Sequence, residues 1–152
     1  MSLVVVAVGP VAIATAEKPS LTIQSPPNGR ASNNQTPSFS GITDDLLDEV
    51  TLNIYAGTGV AAGAPLQALT TPLVPASGTW AVGPAETLRD GTYTAQAVQT
   101  NLAMESGASE PVTFTVDTES PTVTLAAPKS PSNNTTPSFT GTASETTPVT
   151  VR

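Results

Sequence analysis

The sequence contains neither cysteine nor histidine, and only 4% of its 152 residues are aromatic. Without cysteine and histidine there is no Ser-His-Asp triad, no thiol nucleophile and no zinc site of the usual nitrogen and sulfur ligands. The remaining route to catalysis is a pair of carboxyl groups tuned by a pocket, but the carboxylates that are close in sequence share one loop. We therefore expect a non-enzymatic protein, with no catalytic residue, metal ligand or cofactor.

Positive charge is also scarce, with five Lys and Arg residues against twelve Asp and Glu residues and a net charge of −7. Such a chain does not offer the basic stripe that nucleic acids require. Its apolar runs fall short of the ~20 residues that span a membrane. The sequence thus predicts no nucleic-acid partner and no membrane insertion.

A nine-residue motif occurs twice at a spacing of 100 residues, and seven of its nine positions are identical. The first copy covers residues 33–41 and the second covers residues 133–141. The match extends upstream, where residues 19–23 parallel residues 121–125. Similarity at a fixed period is the signature of repeat architectures, so the sequence predicts an excerpt from a tandem array.

The repeat divides the chain into three predicted parts. Residues 19–118 form one complete repeat, and residues 119–152 form the N-terminal part of a second. Residues 1–18 have two interpretations. An apolar core before a cleavage-like pattern at residues 14–16 is typical of a signal peptide, although no basic residue precedes it. Alternation over residues 11–15 is instead typical of the last strand of a preceding repeat, and both interpretations place the protein outside the cytoplasm.

Apolar and polar residues alternate throughout the complete repeat, and no stretch of ten residues carries a helical pattern. Turn-forming residues separate the alternating stretches roughly every 8–14 residues, which is the profile of a β-sandwich. Phe39 is expected to point into the core, together with Val50, Leu52 and Ile54 from one face of the third strand. The seven predicted strands are residues 20–24, 37–41, 50–55, 66–70, 79–82, 92–98 and 112–116.

The segment around the sixth strand is the most specific single motif. Asp90 and Gly91 predict a turn, and Tyr93 follows two residues before Ala95. This is the spacing of a tyrosine corner, in which the tyrosine hydroxyl bonds to the backbone a few residues upstream. In antibody domains a cysteine occupies the position of Ala95, and the tryptophan lies on the third strand. Here the disulfide is absent, and Trp80 falls on the fifth strand.

The complete repeat resembles the bacterial immunoglobulin-like repeats of large secreted and cell-surface proteins. The resemblance implies an all-β fold, an immunoglobulin-like seven-strand β-sandwich, with one complete repeat and partial neighbouring repeats. Residues 116–121 are similar to the joint between consecutive domains of that family. The long loop at residues 57–65 departs from the tight hairpin of simpler members, and loops are where rigid scaffolds carry function. The stretches that carry the resemblance are residues 33–41, 50–55, 90–97 and 114–121.

The resemblance implies a structural repeat of an extracellular stalk or adhesin that spaces a distal domain from the cell surface. Its partners are then the neighbouring immunoglobulin-like repeats. The alternative is an accessory module that binds carbohydrate or a protein surface and is attached to a secreted enzyme. An exposed aromatic cluster beside the 57–65 loop would favour the accessory module, whereas burial of Trp80, Tyr55 and Tyr93 would favour the stalk. Because Trp80 alternates with Val82, we expect it to pack in the core.

An acidic cluster between the second and third strands is the first candidate site. Clustered carboxylates on a loop supply the oxygen ligands that calcium prefers, but the chain has no calcium loop of the Asp-x-Asp-x-Asp-Gly kind. Asp117 is expected at the opposite pole of the domain, and the corresponding loop of the second repeat offers only Glu145. We therefore favour a solvated acidic loop over a calcium site. The cluster consists of Asp44, Asp45, Asp48 and Glu49.

Two Asn-containing segments match the pattern of a glycosylation acceptor, at residues 34–36 and again over residues 133–136. Asparagine also tolerates the left-handed conformation and caps its own backbone, which makes it a frequent turn residue. We expect both segments to form turns.

The partial second repeat raises a separate question, because two or three strands cannot bury a core alone. Its apolar face needs a cover, and the strand-like residues 4–15 of another copy are a natural complement. This predicts head-to-tail or strand-swapped self-association of the fragment, in an open rather than a closed assembly.

Overall fold

A computed structural model describes residues 17–46, 48–128, 133–145 and 148–151. The chain divides into two compact units with a boundary between Asp117 and Thr118. The interpretation of residues 1–16 as a signal peptide or a strand lies outside the described residues. The predicted extents of the complete and partial repeats stay predictions.

The described residues of the first unit form nine β-strands, and no helix occurs in the described part of the chain, so the all-β prediction is confirmed. The strands are β1 (Leu21–Ser25), β2 (Arg30–Ser32), β3 (Phe39–Thr43), β4 (Val50–Ala56), β5 (Gln67–Thr70), β6 (Thr79–Val82), β7 (Gly91–Thr100), β8 (Ser106–Ala108) and β9 (Val112–Val116).

Two sheets form the sandwich. One sheet has the order β1-β3-β6, and the other has the order β2-β9-β7-β4-β5, with β8 paired to β7. All pairs are antiparallel except that of β2 with β9, which is parallel. Buried side chains from both sheets share one core, and the rings of Phe39 and Phe114 meet across it edge to face at 5.5 Å.

The core follows from the alternation in the sequence. Val50, Leu52 and Ile54 on β4 are fully buried, and Phe39 on β3 is buried as well, so all four predicted core positions are confirmed. Because successive side chains of a strand point to opposite faces, the intervening positions of β4 stay partly exposed.

The tyrosine corner is also confirmed. The Tyr93 hydroxyl donates a hydrogen bond to the carbonyl oxygen of Arg89 at 2.8 Å. The Tyr93 ring stacks on Phe114 with centroids 5.6 Å apart. The corner thus ties the loop before β7 to the aromatic centre of the core.

All seven predicted strands are present, and the structure adds β2 and β8. Pro26 and Pro27 lack backbone N–H donors, so β1 ends there. Asn28 then accepts hydrogen bonds through Oδ1 from the N–H and the hydroxyl of Thr113, both at 2.9 Å, and brings the chain to the edge of β9. The short strands β2 and β8 show no apolar alternation, and sequence reasoning missed both.

The second unit contains β10 (Val123–Leu125) and β11 (Gly141–Ala143), which form an antiparallel pair. Leu125 pairs with Gly141 as Ile23 pairs with Gly41 in the first unit. The pairing of Val123 with Ala143 likewise repeats that of Leu21 with Thr43. The two units therefore open with the same strand pair in the same register.

Candidate functional site

A carbohydrate-binding surface on the first unit would require exposed aromatic side chains, because sugars stack on accessible rings. Trp80 is 3% exposed, and Tyr55 and Tyr93 are each 8% exposed. Phe39 and Phe114 are buried too. The prediction that Trp80 packs in the core is confirmed, and no aromatic ring among the described residues of the first unit is exposed to solvent.

Gly41 makes room for the Trp80 ring. The two residues are cross-strand partners on β3 and β6, and a Cβ atom on Gly41 would lie 2.6 Å from Trp80 Cζ2. The indole Nε1 of Trp80 is buried without a hydrogen-bond acceptor in the described part of the chain. The tryptophan therefore contributes packing rather than a polar contact.

The first carboxylate of the acidic loop between β3 and β4, that of Asp44, accepts a hydrogen bond from the backbone. Asp44 accepts a hydrogen bond through Oδ1 from the N–H of Ser20 at 2.7 Å, and its own N–H donates to the Ser20 carbonyl at 3.3 Å. In the second unit the N–H of Thr122 donates to Ser144 Oγ at 2.9 Å, at the same place beside the strand pair. A neutral hydroxyl thus replaces the carboxylate in the repeated position, which indicates a structural role for Asp44.

A buried amide holds the rest of this loop. Gln99, on β7, is 1% exposed and accepts a hydrogen bond through Oε1 from the Thr43 hydroxyl at 2.6 Å. Its Nε2 donates to the carbonyl oxygens of Asp45 at 3.1 Å and of Asp48 at 3.2 Å. Gln99 therefore fixes the backbone of the acidic loop. Sequence reasoning missed it, since a glutamine at an inward position of a strand carries no motif.

The electrostatics of the acidic loop are repulsive. Partial burial raises the pKa of the Asp45 carboxyl above its usual range, and the negative charges of Asp48 and Asp44 raise it further. The described residues contain no group of three or more Asp or Glu side chains arranged to hold a metal ion. The solvated-loop interpretation is consistent with this geometry, and the absence of a bound metal in solution stays a prediction.

Asp117 lies at the other end of the sandwich from the acidic loop, as predicted. It follows β9, whose last residue Val116 pairs with Gly91 at the start of β7. Gln99, which contacts the acidic loop, lies eight residues further along β7, or roughly 27 Å at the rise of an antiparallel strand. Asp117 is therefore too far away to complete a site with the acidic cluster of its own unit.

Both Asn-containing segments form turns, as expected. Asn34 Oδ1 accepts hydrogen bonds from the Thr36 N–H at 3.0 Å and the Thr36 hydroxyl at 3.3 Å. Asn134 and Thr136 repeat both contacts at the same distances. The asparagine side chains stabilise the turn before β3 and its counterpart before β11.

The loop at residues 57–65 is exposed over nearly its whole length and carries small side chains. A Cβ atom on Gly57, Gly59 or Gly63 would meet no atom within 4 Å. Its base is fixed, because the Gly57 N–H donates to the Thr92 carbonyl at 2.8 Å and the Thr94 hydroxyl donates to the Gly57 carbonyl at 2.8 Å. The loop projects from the scaffold without an aromatic or acidic cluster of its own.

The described residues include no helix long and apolar enough to cross a membrane. A family model described as a bacterial Ig-like domain matches residues 25–118. The matched stretch begins at the last residue of β1 and ends just after β9. No curated protein matches the chain.

Proposed function

Because the chain belongs to the bacterial Ig-like domain family, we propose that it is a non-enzymatic structural repeat of an extracellular stalk or adhesin. In this role consecutive sandwiches space a distal domain from the cell surface, and the partners of each unit are its neighbours in the array.

One observation carries the proposal. The strand pair that opens the first unit occurs again in the same register, and only six residues separate it from the first unit's last strand. The backbone contact between Ser20 and Asp44 recurs between Thr122 and Ser144. Units that repeat in series at a fixed period are the organisation of modular arrays.

Burial of the aromatic side chains supports a spacer over a carbohydrate-binding module. Stacking on a sugar needs an accessible ring, but Trp80 and Tyr93 pack in the core of the first unit and Tyr55 is buried as well. The alternative, an accessory module on a secreted enzyme, relies on the exposed 57–65 loop. That loop offers backbone and small side chains, which suits a protein surface better than a sugar.

The decisive experiment is to sequence the reading frame on both sides of this chain and to label intact producing cells with an antibody against the first unit. We expect further units at a spacing of about 100 residues, the period of the motif, together with surface labelling. An adjacent catalytic domain without further repeats would contradict the stalk and support the accessory module.

A further inference from the structure

The outer edge of β5 is open in the described part of the chain. β5 ends the larger sheet, in which β4 is its one neighbour. The Thr71 N–H donates to the Val50 carbonyl at 2.9 Å, and residues of an antiparallel pair alternate between facing the partner strand and facing away from it. Ala68 and Thr70 therefore direct their backbone N–H and C=O groups away from β4. These groups offer hydrogen bonds to a further strand.

This edge lacks the charges by which proteins ordinarily keep an open edge from pairing. No Lys, Arg, Asp or Glu occurs between Glu49 and Glu86, a stretch that contains β4, β5 and β6. The strand at the opposite edge of the same sheet, β2, carries Arg30. Pro65 and Pro72 flank β5 and have no N–H to donate, so they confine strand pairing to the few residues between them.

Exposed leucines lie at both ends of β5. Leu66, which precedes the strand, is 58% exposed, and Leu73, shortly after it, is 61% exposed. An antiparallel pair of two β5 strands centred on Leu69 sets Ala68 opposite Thr70. It also places the Leu66 end of one strand beside the Leu73 end of the other. Because such a pair has two-fold symmetry, each of these contacts is made twice, and the edge is complementary to itself.

The charges at the two ends of the sandwich favour the same antiparallel orientation. The carboxylates of the acidic loop lie at the end towards which β5 runs, since the Val74 N–H donates to the Asp48 carbonyl at 3.2 Å. The other end, where β7 starts, carries both signs of charge in Arg89 and Asp90. Parallel alignment of two copies would bring their acidic loops together. Antiparallel alignment instead places each acidic loop beside the mixed end of the other copy.

We propose that β5 is an interaction surface for a second copy of the chain, which pairs through its own β5 in antiparallel orientation and joins the two larger sheets into one. The edge supplies main-chain hydrogen bonds, the leucines supply apolar contact, and the charges at the ends set the direction. Because β5 has only four residues, the contact is weak, and we expect a dissociation constant of about 0.1–1 mM.

The antiparallel orientation gives this contact a use in a stalk. Two stalks that project from facing cells run antiparallel to each other, so β5 pairing joins cells that display the same protein. Many weak contacts along two arrays act together and hold more firmly than one alone. This use rests on the proposed function, whereas the contact between two copies does not.

The test is sedimentation equilibrium of the full chain at concentrations from about 10 μM to about 2 mM, which bracket the expected dissociation constant. We expect the mass to rise towards that of a dimer and no further, because a two-fold pair is closed. A68K should weaken the dimer at least about tenfold, since a lysine on an edge strand opposes pairing. A31K is the matched control: Ala31 is exposed on β2 at the other edge of the sheet, and the same added charge there should leave the dimer intact.

Disulfide formation tests the register without the lysine variants. The sequence has no cysteine, so A68C and T70C each introduce a single thiol. When the two variants are mixed in equal amounts with oxidised glutathione, the mixed disulfide should form in preference to either symmetric one, because antiparallel pairing sets residue 68 opposite residue 70. Both side chains are exposed, so melting curves by circular dichroism should show that every variant stays folded.

Three results would overturn the proposal. The first is the mass of a monomer over the whole concentration range. The second is an association that A68K leaves intact or that A31K weakens equally, which would assign the contact to another surface. The third is a preference for the symmetric A68C disulfide, which would contradict the antiparallel register.

The two proposals fail separately. If the flanking reading frame contains no further repeats while the dimer forms and A68K weakens it, the stalk is wrong and the contact remains. If further repeats are present and the chain stays monomeric, the stalk stands and the contact is wrong.

Discussion

Gly41 and Trp80 form a cross-strand pair in which the lack of a side chain on Gly41 leaves room for the indole ring and for the backbone of the neighbouring strand. A Cβ atom on Gly41 would overlap the carbonyl oxygen of Thr22 and lie 2.6 Å from Trp80 Cζ2. Gly141 repeats the close approach to the neighbouring strand, where a Cβ atom would overlap the Thr124 carbonyl oxygen. The glycine of the repeated motif is therefore a packing requirement of the opening strand pair.

Replacing this glycine should be costly. G41A is expected to lower the free energy of unfolding by about 3 kcal/mol, because neither the Thr22 backbone nor the indole ring can move aside without disturbing the core. The measurement is urea denaturation followed by Trp80 fluorescence. G59A is the matched control: Gly59 has no atom within 4 Å of an added Cβ, so its effect should stay within about 0.5 kcal/mol. Equal effects of the two substitutions would contradict this account.

A second prediction concerns the indole N–H of Trp80, which is buried without an acceptor among the described residues. W80F removes a buried donor that has no acceptor in the described residues, and it keeps most of the ring volume. We expect a loss of about 1 kcal/mol for W80F, against about 3–5 kcal/mol for W80A, which leaves a cavity. Thermal and chemical denaturation by circular dichroism would measure both, since the variants lack the fluorescent residue. If W80F were as damaging as W80A, the N–H would have an unrecognised partner.

Asp44 should be replaceable by the residue that the second unit uses. D44S is expected to retain nearly all stability, because a serine hydroxyl accepts the equivalent backbone N–H in the second unit. D44A should cost about 1 kcal/mol, since it leaves the Ser20 N–H without that acceptor. Chemical denaturation of both variants is the measurement. A loss for D44S as large as for D44A would show that the carboxylate charge itself matters.

Calcium provides an independent check on the same loop. We expect the thermal midpoint to be unchanged by a chelator and by millimolar calcium. A rise with calcium that is abolished by D48N would restore the calcium-site hypothesis for Asp44, Asp45 and Asp48.

The raised pKa of Asp45 predicts that the substitution D45N increases stability in a pH-dependent way. The folded state holds the Asp45 proton more tightly than the unfolded chain does. Ionisation of Asp45 therefore lowers the free energy of unfolding as the pH rises from 3.8, the ordinary pKa of this carboxyl, through its higher folded-state pKa. D45N removes that loss, so it should raise the thermal midpoint at pH 7. The gain should disappear below about pH 3.8, where the carboxyl is protonated in both states. A gain of the same size at pH 7 and pH 3 would exclude charge as the cause.

The two strands that were not predicted, β2 and β8, lack the alternation of apolar and polar residues from which strands are predicted. β2 consists of Arg30, Ala31 and Ser32, which are largely exposed, so no alternation marks it. It forms because Asn28 binds Thr113, 85 residues away, and places the chain beside β9. The parallel pair of β2 and β9 could therefore be located only once both sheets were in place.

Local chemistry determined the rest of the architecture. Alternation identified β4 and its inward residues because a strand has a period of two. The position of Tyr93, two residues before Ala95 and just after the predicted turn, identified the tyrosine corner. The repeated motif identified a second copy of the opening strand pair, and the Asn-Thr spacing identified its turns. The strands, the corner and the turns each depend on residues within a few positions of one another, and the repeat is visible as sequence identity between its two copies, so the sequence alone contains the information.

Tertiary structure decided the features that carry the candidate surfaces. Gln99 contacts Thr43 across 56 positions of sequence, and Asn101 contacts Glu17 across 84. The burial of Trp80 and the open edge of β5 likewise depend on which strands and loops lie nearby. Such contacts form between chemically ordinary residues that have no local signature. Only the folded chain, by bringing distant segments together, shows which of these residues meet.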